Sequence, residues 1–149
     1  MLTVREATKN DIDVIFELII TFARHQNLEK FFETNKEEML KSGFGASAKF
    51  GFLLAEIDGL PIGFVSYVWS YSIWLGADYM HIDDLYVLSE FRGEKAGEAL
   101  MLGANQLCKS RGGKRLKWEV QQDNLQAIKF YKRLGAQVDI KGICRWQTR

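Results

Sequence analysis

Arg92-Gly93-Glu94-Lys95-Ala96-Gly97 joins an apolar, β-prone run, "YVLS" (86–89), to the start of a helix. Strand, glycine-bearing turn and helix together offer backbone N–H groups to an anion, because the first amides of a helix have no partner within it. Gly93 and Gly97 permit positive φ and close backbone approach. Arg92 and Lys95 add positive charge. Two readings fit this stretch: a phosphate cradle, or a turn in which Gly97 lets the helix pack against the sheet. The pattern is not G-x-G-x-x-G and lies late in the chain, which argues against a dinucleotide site. A nucleoside-triphosphate loop is excluded, since no Gly-Lys followed by Ser or Thr is present.

Two further groups carry chemistry. Upstream, "HIDD" (81–84) places His81, Asp83 and Asp84 on one expected strand. Regular alternation would point Asp83 and Asp84 to opposite faces, with His81 on the face of Asp83. An imidazole titrates near neutral pH. Downstream, Asn124, Ala127 and Tyr131 recur at helical spacing and share one side of a helix. An Asn at a helix start is commonly a cap, and a helical Tyr is commonly a packed aromatic. A phenol, with its ordinary pKa near 10, is protonated at neutral pH and able to donate.

The elements that position these groups follow from periodicity. "LTVREA" (2–7) alternates like a half-buried strand. Asp11 stands where it would cap a helix with the stripe Ile12, Ile15, Phe16, Ile19 and Ile20. Thr34 is placed to cap a second helix, ended by Gly43. "FGFLLAEI", "DG" and "LPIGFVSYVWSY" read as a hairpin, with Pro61 at the start of its second strand. "YMHIDDLYVLS" is a long strand, and a helix runs from about Lys95 to Ser110, stopped by "RGG". "RLKWEV" is a strand. "NLQAIKFYKRLG" is a helix capped by Asp123 or Asn124. "AQVDIKGICRWQ" supplies one or two closing strands. The order predicts a mixed α/β (α+β) sheet of about six or seven strands with four helices, in a single domain over 1–149.

Composition narrows the function. A formal net charge of +1 argues against a nucleic-acid surface. No apolar run reaches the roughly 18–20 residues of a membrane span. The charged N-terminus "MLTVREATKND" does not resemble a signal peptide. Two cysteines, Cys108 and Cys144, make neither a disulfide framework nor a zinc set. The expectation is a cytoplasmic protein without a metal and without membrane or nucleic-acid partners.

Taken together, the turn and the later helix resemble the GNAT superfamily of acyl-CoA-dependent N-acetyltransferases. That family's turn has Gln or Arg first, Gly fourth, and Gly or Ala sixth. Here these positions are Arg92, Lys95 and Gly97. Its later helix has Asn, then Ala three residues on, Tyr seven on, and Gly with Phe or Ala at eleven and twelve. Asn124, Ala127, Tyr131, Gly135 and Ala136 match throughout. "VREATKNDIDVIFELI", "EEMLKSGFG", "YSIWLG", "IDDLYVLSEFRG" and "FYKRLGA" look closest to the spermidine/spermine and thialysine acetyltransferase group.

The resemblance implies direct transfer of the acetyl group of acetyl-CoA to the primary amine of a small molecule, by a homodimer. It assigns the pantetheine arm to backbone groups of Leu85, Tyr86 and Val87, laid along the strand like an added strand. It assigns the pyrophosphate to the turn from Arg92 and Gly93 through Glu94, Lys95, Ala96, Gly97 and Glu98. Asn124 would bond the pantetheine arm beside Ala127, and Tyr131 would protonate the departing thiolate. Asp83 stands where amine-acetylating relatives carry a glutamate, so it would take the amine proton through a water. Asp84 and His81 are the alternatives. From their places in the chain rather than from the resemblance, Trp74 reads as a wall of the acceptor site or as a packed loop aromatic, and Glu119 as lining the same cavity with Asp83 and Asp84.

Three departures bear on function. Lys95 occupies the usual glycine position, where a side chain makes positive φ uncommon, although its ammonium could assist the phosphates. Ser72 and the neutral-to-basic "RHQNLEKFF" (24–32) replace the acidic acceptor surroundings of polyamine acetyltransferases. Trp146 falls two residues beyond the usual C-terminal tryptophan. These lean toward a smaller amine or an amino-acid side chain. A catalytically weak CoA-binding domain and a protein lysine or N-terminal acetyltransferase are the alternatives.

Overall fold

A computed structural model describes residues 1–93 and 95–148; Glu94, assigned above to the phosphate turn, lies outside the described residues. The chain divides into two compact units, Met1–Trp118 and Glu119–Arg149.

The first unit is built on a five-stranded sheet in the order β1-β2-β3-β4-β5. The strands are β1 (Leu2–Glu6), β2 (Gly51–Ile57), β3 (Leu60–Ser72), β4 (Ala77–Val87) and β5 (Leu116–Lys117). The first four pair antiparallel, and β5 joins β4 in parallel. The helices are α1 (Ile12–His25), α2 (Lys36–Gly43) and α3 (Ala96–Ser110).

Helices cover both faces of the sheet. Ile15 and Leu18 of α1 and Met39 of α2 pack on Phe52, Leu54, Phe64 and Tyr86. Leu100, Met101, Ala104 and Cys108 form the buried stripe of α3, and Gly103 of α3 approaches Val4 and Leu53. Residues Phe52 to Ala55 are therefore buried continuously rather than alternately, as a strand covered on both sides requires. Complete burial of a side chain such as Phe64 or Leu54 stabilises the unit by about 1.5–3 kcal/mol.

The hairpin forms as expected. Asp58 and Gly59 both have positive φ, 49° and 82°, the conformation that suits a two-residue turn between twisted strands. Pro61 falls at a register shift: Ala55 pairs with Gly63 and Glu56 with Pro61, so Ile62 is the extra residue. The ladder is thus irregular next to Pro61, which has no N–H to give it.

Some boundaries move. Asn35, not Thr34, caps α2, accepting from the Glu38 N–H at 2.8 Å. Asp11 does precede α1, but its carboxylate accepts from the Thr8 N–H at 2.7 Å and from Arg5. "RLKWEV" contributes only Leu116 and Lys117 to the sheet, and no strand forms between 136 and 147. The described sheet thus has five strands, not six or seven. In the second unit, α4 (Leu125–Arg133) is capped by Asn124, whose Oδ1 accepts from the Ala127 N–H at 3.2 Å.

Candidate active site

In the first unit the site grows from β4. His81 pairs with Val68 and Asp84 with Ser66, while Ile82 pairs with Tyr67. Three residues of β4 thus match two of β3, and Asp83 is the extra residue of a bulge. Ser66 and Val68 lie on one face of β3, so their partners Asp84 and His81 also share a face. The expectation that Asp83 and Asp84 point oppositely fails here, because the bulge skips one step of the alternation. Asp83 Oδ1 lies 3.2 Å from His81 Nδ1. The Asp84 N–H donates to Ser66 Oγ at 3.1 Å. Burial raises the Asp84 carboxyl above the ordinary carboxylate range, and the Asp83 charge adds to the rise.

Past the bulge, β4 is freed on one side. Its ladder with β5 contains only Met80–Leu116 and His81–Lys117. Among the described residues, Leu85, Tyr86 and Val87 pair in the sheet with β3 alone. The Tyr86 side chain turns into the core, where its hydroxyl meets His25 Nδ1 at 2.9 Å. Only its backbone can therefore serve the edge. Gly63 lets β3 run this close: a Cβ there would meet the Tyr86 carbonyl at 2.6 Å. Arg92 folds back, its Nε donating to the Val87 carbonyl at 3.2 Å and its guanidinium lying 5.8 Å from the Tyr86 ring. That carbonyl is consequently engaged already.

The turn then leads into α3. Gly93 has φ 90° and Lys95 φ 64°, ψ 18°. The lysine takes the left-handed conformation that a glycine would adopt for little cost. Lys95 is the N-cap residue, and its side chain makes no capping bond. Its carbonyl accepts the first helical bond, from Ala99. The amides of Ala96, Gly97 and Glu98 are then the donors left at the helix start, where the helix dipole also favours negative charge. Residues Leu85 to Val87 and Ala96 to Glu98 suit an extended amide chain ending in a pyrophosphate, the chemistry of a coenzyme A.

One expected residue of the first unit stands apart from this group. Trp74 sits at the tip of the β3–β4 hairpin, beyond the last pair Ser72–Ala77, and is 99% exposed. At about 3.3 Å per residue it lies roughly 15 Å along the hairpin from His81. It is not a wall of the Asp83 site within one chain. In the second unit, Glu119 is exposed and outside any strand. Asn124 is exposed and caps α4. Tyr131 is half-buried beside Phe130, ring centroids 5.3 Å apart, and burial raises its hydroxyl above the ordinary phenol value. Cys108 is buried in α3, and Cys144 is exposed outside any strand. Among the described residues no group of three or more His, Cys, Asp or Glu is placed to hold a metal ion. Among the described residues no helix is long and apolar enough to cross a membrane. A groove of about 610 Å³ between β1, β2 and α3, lined by Val4, Leu53 and Leu102, contains none of the expected site residues.

Sequence reasoning missed Ser66, the one polar residue in a run of buried apolar ones and the anchor of the Asp84 amide. Its isolation in "IGFVSYVW" was the available signal. It also missed His25, which no spacing links to Tyr86.

The first unit thus joins a mixed sheet covered by helices on both faces, a bulged strand released at one edge and a helix start without a side-chain cap. The comparisons supply the family. Residues 13–136 match the Acetyltransferase (GNAT) family, and the chain belongs to that family. It is therefore an acyltransferase. It is 30% identical over 142 residues to thialysine N-epsilon-acetyltransferase of Bos taurus, covering 90% of this chain and 83% of that protein. The Mus musculus protein of the same name is 28% identical over 142 residues, with the same coverage. Among solved structures, an aminoglycoside acetyltransferase from an uncultured soil metagenomic sample has a TM-score of 0.85 at 18% identity, covering 99% of each chain. That likeness speaks to the fold alone.

Proposed function

We propose that this acyltransferase moves the acetyl group of acetyl-CoA to the primary amine of a small molecule. The acceptor class is an amine at the end of a short aliphatic chain, as in the side chain that the bovine relative's name specifies. The observation that carries the reading is the continuity of the released β4 edge with the Gly93–Lys95 turn and the uncapped start of α3. The family match spans both units, which supports treating 1–149 as one working domain. The homodimer remains part of the proposal through the resemblance, and the cytoplasmic location and the absence of metal through the composition and the two cysteines.

Bound acetyl-CoA supplies a thioester whose acyl carbon accepts the amine nitrogen as the carbon–sulfur bond breaks. Leu85 and Tyr86 hold the arm through their backbone. Ala96, Gly97 and Glu98 receive the pyrophosphate through their amides, with Arg92, Gly93 and Lys95 shaping the turn. Asn124 keeps an amide N–H free to bond the arm while its Oδ1 caps α4 beside Ala127. Tyr131 donates its hydroxyl proton to the departing sulfur and regains one from the nitrogen that becomes the amide. The ammonium proton goes to the acidic stretch of β4, where Asp83, Asp84 and His81 stand together. Each turnover forms one amide and one thiol and releases one proton.

Two measurements test this. Acetyl-CoA at millimolar concentration should raise the melting temperature; no rise counts against any CoA-dependent reading. A thiol-release assay over lysine-like amino acids, diamines, polyamines and peptides with free N-termini should give its highest kcat/KM with a small amine. Highest turnover on a peptide would move the assignment to a protein acetyltransferase. Stabilisation without turnover of any acceptor would make it a CoA-binding domain.

A further inference from the structure

The proposed reaction requires a group that takes a proton at neutral pH, and the bulge offers more than a carboxylate. Asp83 Oδ1 and His81 Nδ1 are 3.2 Å apart, with the two side chains 50% and 28% exposed. With a carboxylate oxygen this near Nδ1, a neutral imidazole is favoured to carry its hydrogen on that nitrogen, which leaves Nε2 as a lone-pair acceptor. The register adds Asp84 to the same side. Residues 81 and 84, three apart, would face oppositely in a regular strand, yet the extra residue at 83 brings both to the face of Ser66 and Val68. The imidazole is thus flanked by two carboxylates, one of them in contact.

We propose that His81 is the general base of this acyltransferase and that Asp83 is its positioning residue; this rests on the amine-acetylation reading. Nε2 of neutral His81 takes one proton from the substrate ammonium, directly or through one water. The products are a free amine, able to attack the thioester, and an imidazolium bonded to the Asp83 carboxylate. The imidazolium then gives its proton to solvent, and no electrons change hands. An imidazole is better matched than a carboxylate to take a proton from an ammonium at neutral pH. The charged groups facing His81 are Asp83 and Asp84 on β4 and Lys117, its parallel partner on β5. The facing positions of β3, Ser66, Val68 and Ser70, carry none. From α1, His25 engages Tyr86 instead.

The test combines a readout independent of turnover with one that depends on it. Nitrogen-15 NMR of the free protein should show His81 as the Nδ1–H tautomer, and Asp83→Asn should shift it toward Nε2–H. With the best amine from the panel, His81→Gln should lower kcat by roughly 10²-fold or more and remove the acid limb of the pH profile, with KM for acetyl-CoA unchanged. Asp83→Asn should keep the limb and lower kcat by roughly 10-fold or more. An Nε2–H tautomer in the wild type overturns the proposal. So does a His81→Gln profile that keeps its acid limb while Asp83→Asn loses it, since Asp83 would then be the base. Failure of every amine would strike the acetylation reading, and the tautomer would still decide whether the dyad exists.

Discussion

At the residue scale, function depends on which atoms remain free after the fold has taken its share. Tyr86 gives its hydroxyl to His25, Asn124 gives its Oδ1 to α4, and Arg92 gives its Nε to Val87. Tyr131 keeps its proton because burial penalises the phenolate. A group that must be protonated loses activity as pH rises through its pKa, and here that pKa is raised above 10. We therefore expect full donor capacity throughout the neutral range and an alkaline limb set by Tyr131. Tyr131→Phe should lower kcat by roughly 10²-fold and abolish that limb, read by kcat against pH. Wild-type turnover at every pH would remove Tyr131 from the mechanism. The motif from Asn124 to Ala136 made Asn124 and Tyr131 visible in sequence. The engagement of Tyr86 by His25 was not, because the two are 61 residues apart.

At the scale of elements, the turn between β4 and α3 is the place of strain. Among the described residues, three that are not glycine have positive φ: Asn27, Asp58 and Lys95. Asn and Asp tolerate this conformation, but a lysine does not gain the same local bonding. The lysine therefore leaves the turn's shape intact at an energetic cost. Lys95→Gly should stabilise the protein by about 1 kcal/mol, a melting-temperature gain of about 2–4 °C. Lys95→Ala should bring no such gain, since its Cβ keeps the penalty. Both should weaken acetyl-CoA binding at low ionic strength, with the difference from wild type shrinking as salt rises. Unchanged affinity in both, by titration calorimetry, would show that the ammonium does not reach the phosphates. Periodicity made the helices and the hairpin legible. The bulges at Ile62 and Asp83 were not, because an extra residue shows only against its partner strand.

At the scale of the whole molecule, Arg5 on β1 ties the sheet to the entry of α1. It bonds Asp11 at 2.8 and 2.9 Å and Glu56 on β2 at 3.0 and 3.2 Å. The bond from Arg5, aided by the Thr8 amide, lowers the Asp11 carboxyl to about 2 from its ordinary 3.8. Because the folded-state value is depressed, the stabilisation is complete above about pH 4 and is lost as pH falls through 2. Asp11→Asn should cost about 1 kcal/mol at pH 7, a modest figure because Arg5 is two-fifths exposed and water screens the pair. The variant should also lose less stability than wild type between pH 4 and 2, measured by urea denaturation. Equal pH slopes would rule out Asp11 as a contributor.

Some of this protein is local, and the sequence by itself determined it. Helix stripes, the Asp58-Gly59 turn, the Gly93 and Gly97 positions and the Asn124–Ala136 spacing depend on neighbours a few residues away. The tertiary structure alone decided the rest: that β5 leaves β4 after His81, that Lys95 keeps a left-handed backbone, and that Asp83 stands out of register. That last shift gives His81 and Asp84 a common face. Each depends on which strand lies alongside and how far the pairing runs, and no spacing within one strand encodes that.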